Sequence, residues 1–289
     1  MAFKEYEDPA ELARLQQLSG MILSELDRVC DKLGIRYAVY AGTALGAVRH
    51  QGFIPWDDDV DVIMPRADYE RFLAEAPAVL DARFALANTR TEPDFTSPYS
   101  YLTLKDTLCI PEFYRTCPYQ KPISIDVFPL DNVSDDPKTR ARQLRRTWLW
   151  GRLIFLRATP EPYLAFDGIK RALVLAACHC AHGLLKLFGQ TPAKLQRRWE
   201  RAARLAELEE CALMADFSDR APLAWSMTEE ELFPAVEMPF DSMTVKVPRA
   251  WDALLAREYG DYMKLPPVEQ RKNHYPYRLD FGPYAEPDA

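Results

Sequence analysis

Apolar positions along the chain set out its elements. Over residues 9–33, Leu12, Leu15, Leu18, Ile22, Leu26, Val29 and Leu33 recur at three-to-four spacing and predict an amphipathic helix, which Gly34 stops. The run 35–40 (IRYAVY) reads as a strand and 43–49 as a short helix. Residues 59–63 are read as a strand, in which Asp59 and Asp61 alternate with Val60 and Val62. A second helix is expected over 68–80, with Tyr69, Phe72 and Leu73 inward, then short strands over 84–87 and 101–105. Residues 111–122 suit a loop or hairpin. In the strand expected at 123–129, Ile123, Ile125 and Val127 share one face and Ser124, Asp126 and Phe128 the other. Helical patterns follow over 139–156, 163–188 and 192–217. Beyond Asp219, Trp225, Phe233 and Phe240 mark core contacts, 243–247 alternates like a strand, Pro248 opens a helix over 249–259 and Gly260 ends it. The pattern predicts an α/β (α+β) fold, a mixed sheet flanked by helices with a helical insertion. Its expected parts are a core over 1–136, the insertion over 137–218, and a segment over 219–289 that completes the core.

The chemistry concentrates in residues 42–64, GTALGAVRHQGFIPWDDDVDVIM. Gly42 lets backbone approach a ligand closely, and the first amides of the following helix would face an anion. If 59–63 is a strand, Asp57, Asp59 and Asp61 share one face while Val60 and Val62 turn to the core. Carboxylates so spaced can converge on one hard cation, and like charges so close do not all stay ionised without one. The bland alternative is a solvated acidic turn. Asp126, inside an apolar run, needs a partner of its own, either backbone amides, an arginine or a metal.

The Ala41-Gly42-Thr43 turn, the string IPWDDDVD and the pair Asp59-Val60-Asp61 resemble the LicD family, which transfers phosphocholine and related groups and has the fukutin-type ribitol-phosphate transferases among its relatives. IDVFPLD around Asp126 and the segment 239–267 resemble later blocks of the same family, with Asp241 where glutamate is expected. The resemblance covers about 35–130 and 224–275. It implies a nucleotidyltransferase-type fold and a Mg²⁺ (or Mn²⁺) ion held by Asp59, Asp61 and Asp126, with Asp57 orienting metal water or binding a second ion. Asp126 would also take the acceptor proton. Gly42 and Thr43 would serve the diphosphate, and Arg49 and Lys105 would clamp phosphate. Asp58 is expected to point away in a structural role. His50 and His274 fall within the resembling blocks without an assigned role. The implied donor is a CDP-alcohol, CDP-choline first, and the implied acceptor a hydroxyl of a cell-surface glycan such as a teichoic acid, lipopolysaccharide or capsule precursor, with CMP released. Two other readings stay open. One is a nucleotidyltransferase that uses a nucleoside triphosphate and releases pyrophosphate, and the other a metal-binding scaffold without activity.

Composition changes this picture in two places. The net charge of −7 excludes a nucleic-acid binder by bulk electrostatics, yet residues 137–210 carry a balance of +9 against −16 elsewhere. That basic segment is expected either to present a solvated face or to make peripheral contact with an anionic membrane or a lipid-linked acceptor. Within it, 172–188 is apolar but short and polar for a membrane span, so a buried helix is expected there, with a membrane-resting face as the alternative. Cys178, His179, Cys180 and His182 lack a second ligand pair at zinc spacing and read as ordinary helix residues. The six cysteines form no paired framework, and no basic region followed by an apolar run is seen near the N-terminus. The expected location is cytoplasmic, at most peripheral to the inner membrane face.

Overall fold

The computed structural model describes residues 6–164 and 166–285; residues 1–5, part of the stretch read for a leader, lie outside it. Helix α1 (Pro9–Leu33) starts where the Asp8 carboxylate accepts the Ala10 amide, and Gly34 closes it in the left-handed conformation. Leu15, Leu18, Ile22, Leu26 and Val29 are buried on one stripe, each worth about 1.5–3 kcal/mol against exposure. The chain continues through β1 (Ala38–Val39), α2 (Ala41–His50), β2 (Asp61–Pro65), α3 (Arg66–Glu75), β3 (Phe84–Ala87), β4 (Ser100–Leu104), β5 (Leu108–Pro111) and β6 (Ser124–Val133). The strand expected over 35–40 shrinks to two residues because the helix cap claims its start: the Ile35 amide donates to Cys30 O. The helix expected over 68–80 begins at Arg66 and finishes in a 3₁₀ turn at Ala76–Ala78.

The sheet runs β1-β2-β6-β4-β3. Only β2 and β6 pair in parallel, and the other neighbours are antiparallel, so the sheet is mixed as expected. The inner face of β6, Ile125 and Val127, packs with α1, while Ser124, Asp126 and Phe128 stay half-buried on the other face.

The second half of β6 holds the helical segment. Here α4 (Pro137–Ala158), α5 (Ile169–Leu187) and α6 (Pro192–Ala203) follow, then β7 (Leu213–Ala215), antiparallel to Asp131–Val133. Helix 192–217 of the sequence reading therefore ends at Ala203. The far end of β6 offers backbone groups that need partners, and Leu213–Ala215 supplies them. Buried Gln143 of α4 accepts the Ser134 amide and donates to Asn132 O and Ala203 O, tying α4 to both β6 and α6. The expectation of a buried helix over 172–188 is overturned, since α5 has no buried residue. Its neighbours α4 and α6 already close on each other around Ile154, Leu195 and Trp199.

The remainder comprises α7 (Glu229–Leu232), the hairpin of β8 (Val236–Phe240) and β9 (Met243–Val247), α8 (Trp251–Tyr259) and β10 (Pro276–Asp280). Phe240 is buried, and Trp225 and Phe233 pack from partial burial, as expected. β10 pairs with β5, and this pairing brings residues 273–275 over the carboxylate stretch.

Candidate active site

Asp61 opens β2 in register with Asp126 of β6. In a parallel pair, residues in register point to the same face, so these two carboxylates stand side by side while Val62 and Val127 turn into the core. The backbone beneath them is fixed. Thr43 Oγ1 accepts the Asp61 amide at 2.9 Å, Asp61 O accepts the Tyr40 amide at 2.9 Å, and Val60 O accepts the Asp126 amide at 2.8 Å.

Residues 57–60 are irregular, and the strand expected to start at Asp59 starts at Asp61. The reason is local hydrogen bonding. Asp57 Oδ1 accepts the Asp58 amide at 3.2 Å, while buried Asp58 accepts the Tyr6 hydroxyl at 2.9 Å and the His274 amide at 2.7 Å. Asp58 is thereby anchored by backbone and hydroxyl donors, but it does not point away from the site: it stays beside Asp59 and His274 and lines the same cavity. His274 Nδ1 sits 2.8 Å from Asp59 Oδ2. Lys121 Nζ lies 3.2 Å from Asp126 Oδ1 and 4.1 Å over the Tyr101 ring.

The crowding shifts the proton affinities of these groups. Burial, then Asp59 and Asp58, push Asp57 well above the usual carboxylate range. Burial, then Asp59 and Asp126, do the same to Asp61. Burial raises Asp126 too, with Lys121 opposing and Asp59 adding. Burial also disfavours the Asp59 anion, but His274 outweighs it and holds Asp59 at about 2. Asp59 in turn lifts His274 to about 11, so the ring is a cation at neutral pH. Four carboxylates thus feel one another across a small space with two cations among them.

Asp59, Asp126, Lys121, His274, Tyr99 and Ser124 line a cavity of about 90 Å³. Ser124 Oγ is buried there without a hydrogen-bond partner among the described residues. The oxygen donors of Asp59 and Asp126 and the orphaned hydroxyl fit a hard divalent cation with its water, while Asp57 and Asp61 stand outside this lining. Among the described residues, the group of metal-ligand atoms that lies within 4.8 Å of one another is an oxygen each of Asp58 and Asp59 and a ring nitrogen of His274. Asp58 already has two donors and His274 is charged, so that trio makes a poorer ligand set.

The other candidates are placed as follows. A side chain at Gly42 would meet Asp57 Oδ2 at 2.8 Å, so glycine makes room for that carboxylate. The Thr43 amide is taken by Tyr40 O, leaving its hydroxyl hydrogen to donate. Arg49 stands in the last turn of α2, about 9 Å along the axis from Thr43, and donates to Tyr262 O at 2.7 Å and His50 Nε2 at 2.9 Å. It forms no ion pair among the described residues. His50 is its acceptor and packs edge-on to Trp56. Lys105 is not brought to the carboxylates. Tyr101 is the residue of β4 opposite Asp126, which leaves Lys105 four positions along, about 13 Å away, with its Nζ donating to Ala82 O. The sequence reading missed Lys121 and left His274 without a role. A lysine five residues before Asp126 was the only local sign of the first.

A mixed sheet whose neighbouring strands present aligned aspartates beside a Gly-Thr helix start defines a nucleotidyltransferase-type domain. Residues 34–116 match the family model described as LicD/FKTN/FKRP, nucleotidyltransferase domain. The chain is 27% identical over 271 residues to the lipopolysaccharide cholinephosphotransferase LicD of Haemophilus influenzae, covering 91% of this chain and 95% of that protein. Shorter matches join it to uncharacterized proteins of Rickettsia typhi, 41% identical over 51 residues (18% of this chain, 16% of that one), and Rickettsia prowazekii, 46% over 41 (14% and 15%). Residues 34–116 thus match a LicD-type nucleotidyltransferase domain, and nearly the whole chain is similar to a cholinephosphotransferase.

Proposed function

We propose that the chain moves phosphocholine, or a closely related phospho-alcohol, from a CDP-alcohol to a hydroxyl of a cell-surface glycan and releases CMP. The observation that carries this reading is the in-register pair Asp61 and Asp126, with Asp59 beside them and two cations at the rim. Similarity over nearly the whole length to a lipopolysaccharide cholinephosphotransferase supports choline and a lipopolysaccharide-type acceptor.

Asp59, Asp61 and Asp126, with Asp57 adjacent, would hold magnesium or manganese, and the cation when bound supplies neutralisation of charge on the diphosphate. The rest falls to the chain. Lys121 and His274 add fixed positive charge where the leaving phosphate oxygen develops negative charge. The Thr43 hydroxyl donates toward the same side. The acceptor oxygen forms the new bond to the phosphorus bearing the alcohol, the bond from that phosphorus to CMP breaks, and the acceptor proton passes to Asp126, whose raised pKa suits a base. Arg49 can join only by leaving Tyr262 O. The three-part division at 136 and 218 belongs to the same proposal.

The test is a panel of CDP-alcohols with Mg²⁺, with and without glycan acceptors, in which CMP is measured. CMP release greatest with CDP-choline and acceptor is expected. Pyrophosphate from a nucleoside triphosphate, with no CMP from any CDP-alcohol, would overturn the reading.

A further inference from the structure

Helix α5 is apolar on two faces, and the protein covers one of them only in part. Val174, Leu175, Cys178, Ala181, His182 and Leu185 form the half-buried stripe toward the body, where His182 Nδ1 lies 2.8 Å from Leu156 O of α4. The opposite face carries Ile169, Leu173, Leu184 and Leu187, with Phe188 just beyond the helix, at 48–81% exposure. Leu173, Ala177, Cys180, Leu184 and Leu187 repeat at three-to-four spacing and so form one continuous outward stripe. A helix hydrophobic all round ordinarily has both faces covered.

Charge says what covers this one. Lys170 and Arg171 stand at the start of α5 and Lys186 at its end, without an acidic residue between them. The neighbouring helix presents Arg142, Arg145, Arg146 and Arg152 to solvent, and residues 137–210 together carry +9. A second copy laid face to face would bring these like charges together, a repulsive arrangement. No single described helix is long and apolar enough to cross a membrane. An apolar stripe with cations at both ends instead matches a helix lying in the interface of an anionic bilayer, its stem in the acyl boundary and its charges among the headgroups.

We propose that the outward face of α5 is a docking surface for anionic lipid, with the helix axis in the membrane plane. Helix α4, which packs beside α5, reaches the cavity lining where the Phe155 ring lies 6.0 Å from that of Tyr114. The inference stands on α5 and the basic residues around it and does not depend on the donor or acceptor proposed above.

The experiment is sedimentation of the full chain with phosphatidylglycerol-containing vesicles and with pure phosphatidylcholine vesicles. Two variants accompany it, Leu173→Glu with Leu187→Glu, and Lys170→Gln with Arg171→Gln and Lys186→Gln. These side chains are outside the core, so both variants should keep the wild-type circular dichroism and melting temperature. Wild type should prefer the anionic vesicles. The first variant should bind at least about tenfold more weakly, and the second should lose about fivefold per charge removed, with a flatter salt dependence. Equal binding to both vesicle types, or undiminished binding by the leucine variant, overturns the proposal. A lipid-free dimer that the leucine variant abolishes would give the face to a second copy and overturn it as well.

Discussion

Gly42 has no room for a side chain, because a Cβ there would stand 2.8 Å from Asp57 Oδ2. The obstacle is the end of a side chain, so the fold can give way where the site cannot. Gly42→Ala should lower CMP release at least about tenfold with melting shifted by only a few degrees, and steady-state rates beside a melting curve check this. Asp59→Asn and Asp61→Asn should each abolish turnover in a folded protein; activity within about tenfold of wild type in either would remove that residue from the site. The two lysines give a sharper contrast. Lys121 touches Asp126 whereas Lys105 reaches only Ala82 O. Lys121→Gln should cost about 10²-fold or more, and Lys105→Gln less than about twofold. The aspartates were legible because side chains alternate along a strand and the Gly-Thr turn marks its approach. Lys121 and His274 were not. His274 reaches Asp58 and Asp59 only because β10, more than 200 residues away, pairs with β5, and no local pattern encodes such a pairing.

Between elements, legibility followed the caps. Asp8 and Gly34 bracket α1 where the sequence placed it, and Gly260 caps α8. The end of α6 was missed because residues 204–217 still look helical by composition, while the unpaired end of β6 draws Leu213–Ala215 into the sheet. The turn after β7 carries a consequence for pH. Burial raises Asp216 to about 7, even though its carboxylate accepts the Ser218 amide at 2.7 Å and hydroxyl at 2.6 Å. A carboxyl whose folded pKa lies above its unfolded one binds more protons in the folded state. Its contribution to stability is therefore present below pH 4 and is lost as pH rises from about 4 to 7. Asp216→Asn keeps both hydrogen bonds and removes the titration. Across that window the mutant should lose less stability than wild type, by on the order of 2–4 kcal/mol, as urea unfolding at several pH values would reveal. An equal pH slope in both proteins would show that Asp216 ionises freely. At the other side of β6, buried Asp131 clasps Arg66 of α3 through two bonds, 2.8 and 2.6 Å. Asp131→Ala leaves a guanidinium buried with only Glu70 at 3.3 Å, and should cost about 3–5 kcal/mol in the same assay.

Across the whole molecule the charge is divided. An acidic body holds the carboxylate site, and a basic helical arm, which the sequence marked by composition alone, holds α5 outward. Burial of α5 was misjudged because hydropathy records what a helix would gain from cover, not whether its neighbours have a face left to offer. Within the acidic body, the close cations that Asp57, Asp59, Asp61 and Asp126 face among the described residues are Lys121 and His274, so two negative charges remain uncompensated when all four are ionised. Two unit charges about 4 Å apart repel by roughly 4 kcal/mol at an effective dielectric near 20, a large share of a domain's stability of about 5–15 kcal/mol. That repulsion is borne by the fold or relieved by protonation, which is the direction in which Asp57, Asp61 and Asp126 are shifted. A divalent cation that bound the folded site and hardly the unfolded chain would, at about a hundred times its dissociation constant, add roughly 2.7 kcal/mol, equivalent to several degrees in a chain of this size. Neutralising one carboxylate should act in opposite senses in the two conditions. In chelator, Asp61→Asn should melt at or above wild type, because a repelling charge is gone and its backbone amide still binds Thr43 Oγ1. With millimolar magnesium it should lose most of the gain that wild type shows. A purely structural aspartate would leave the mutant less stable by the same amount in both conditions, and melting curves of the two proteins with and without the metal tell these cases apart.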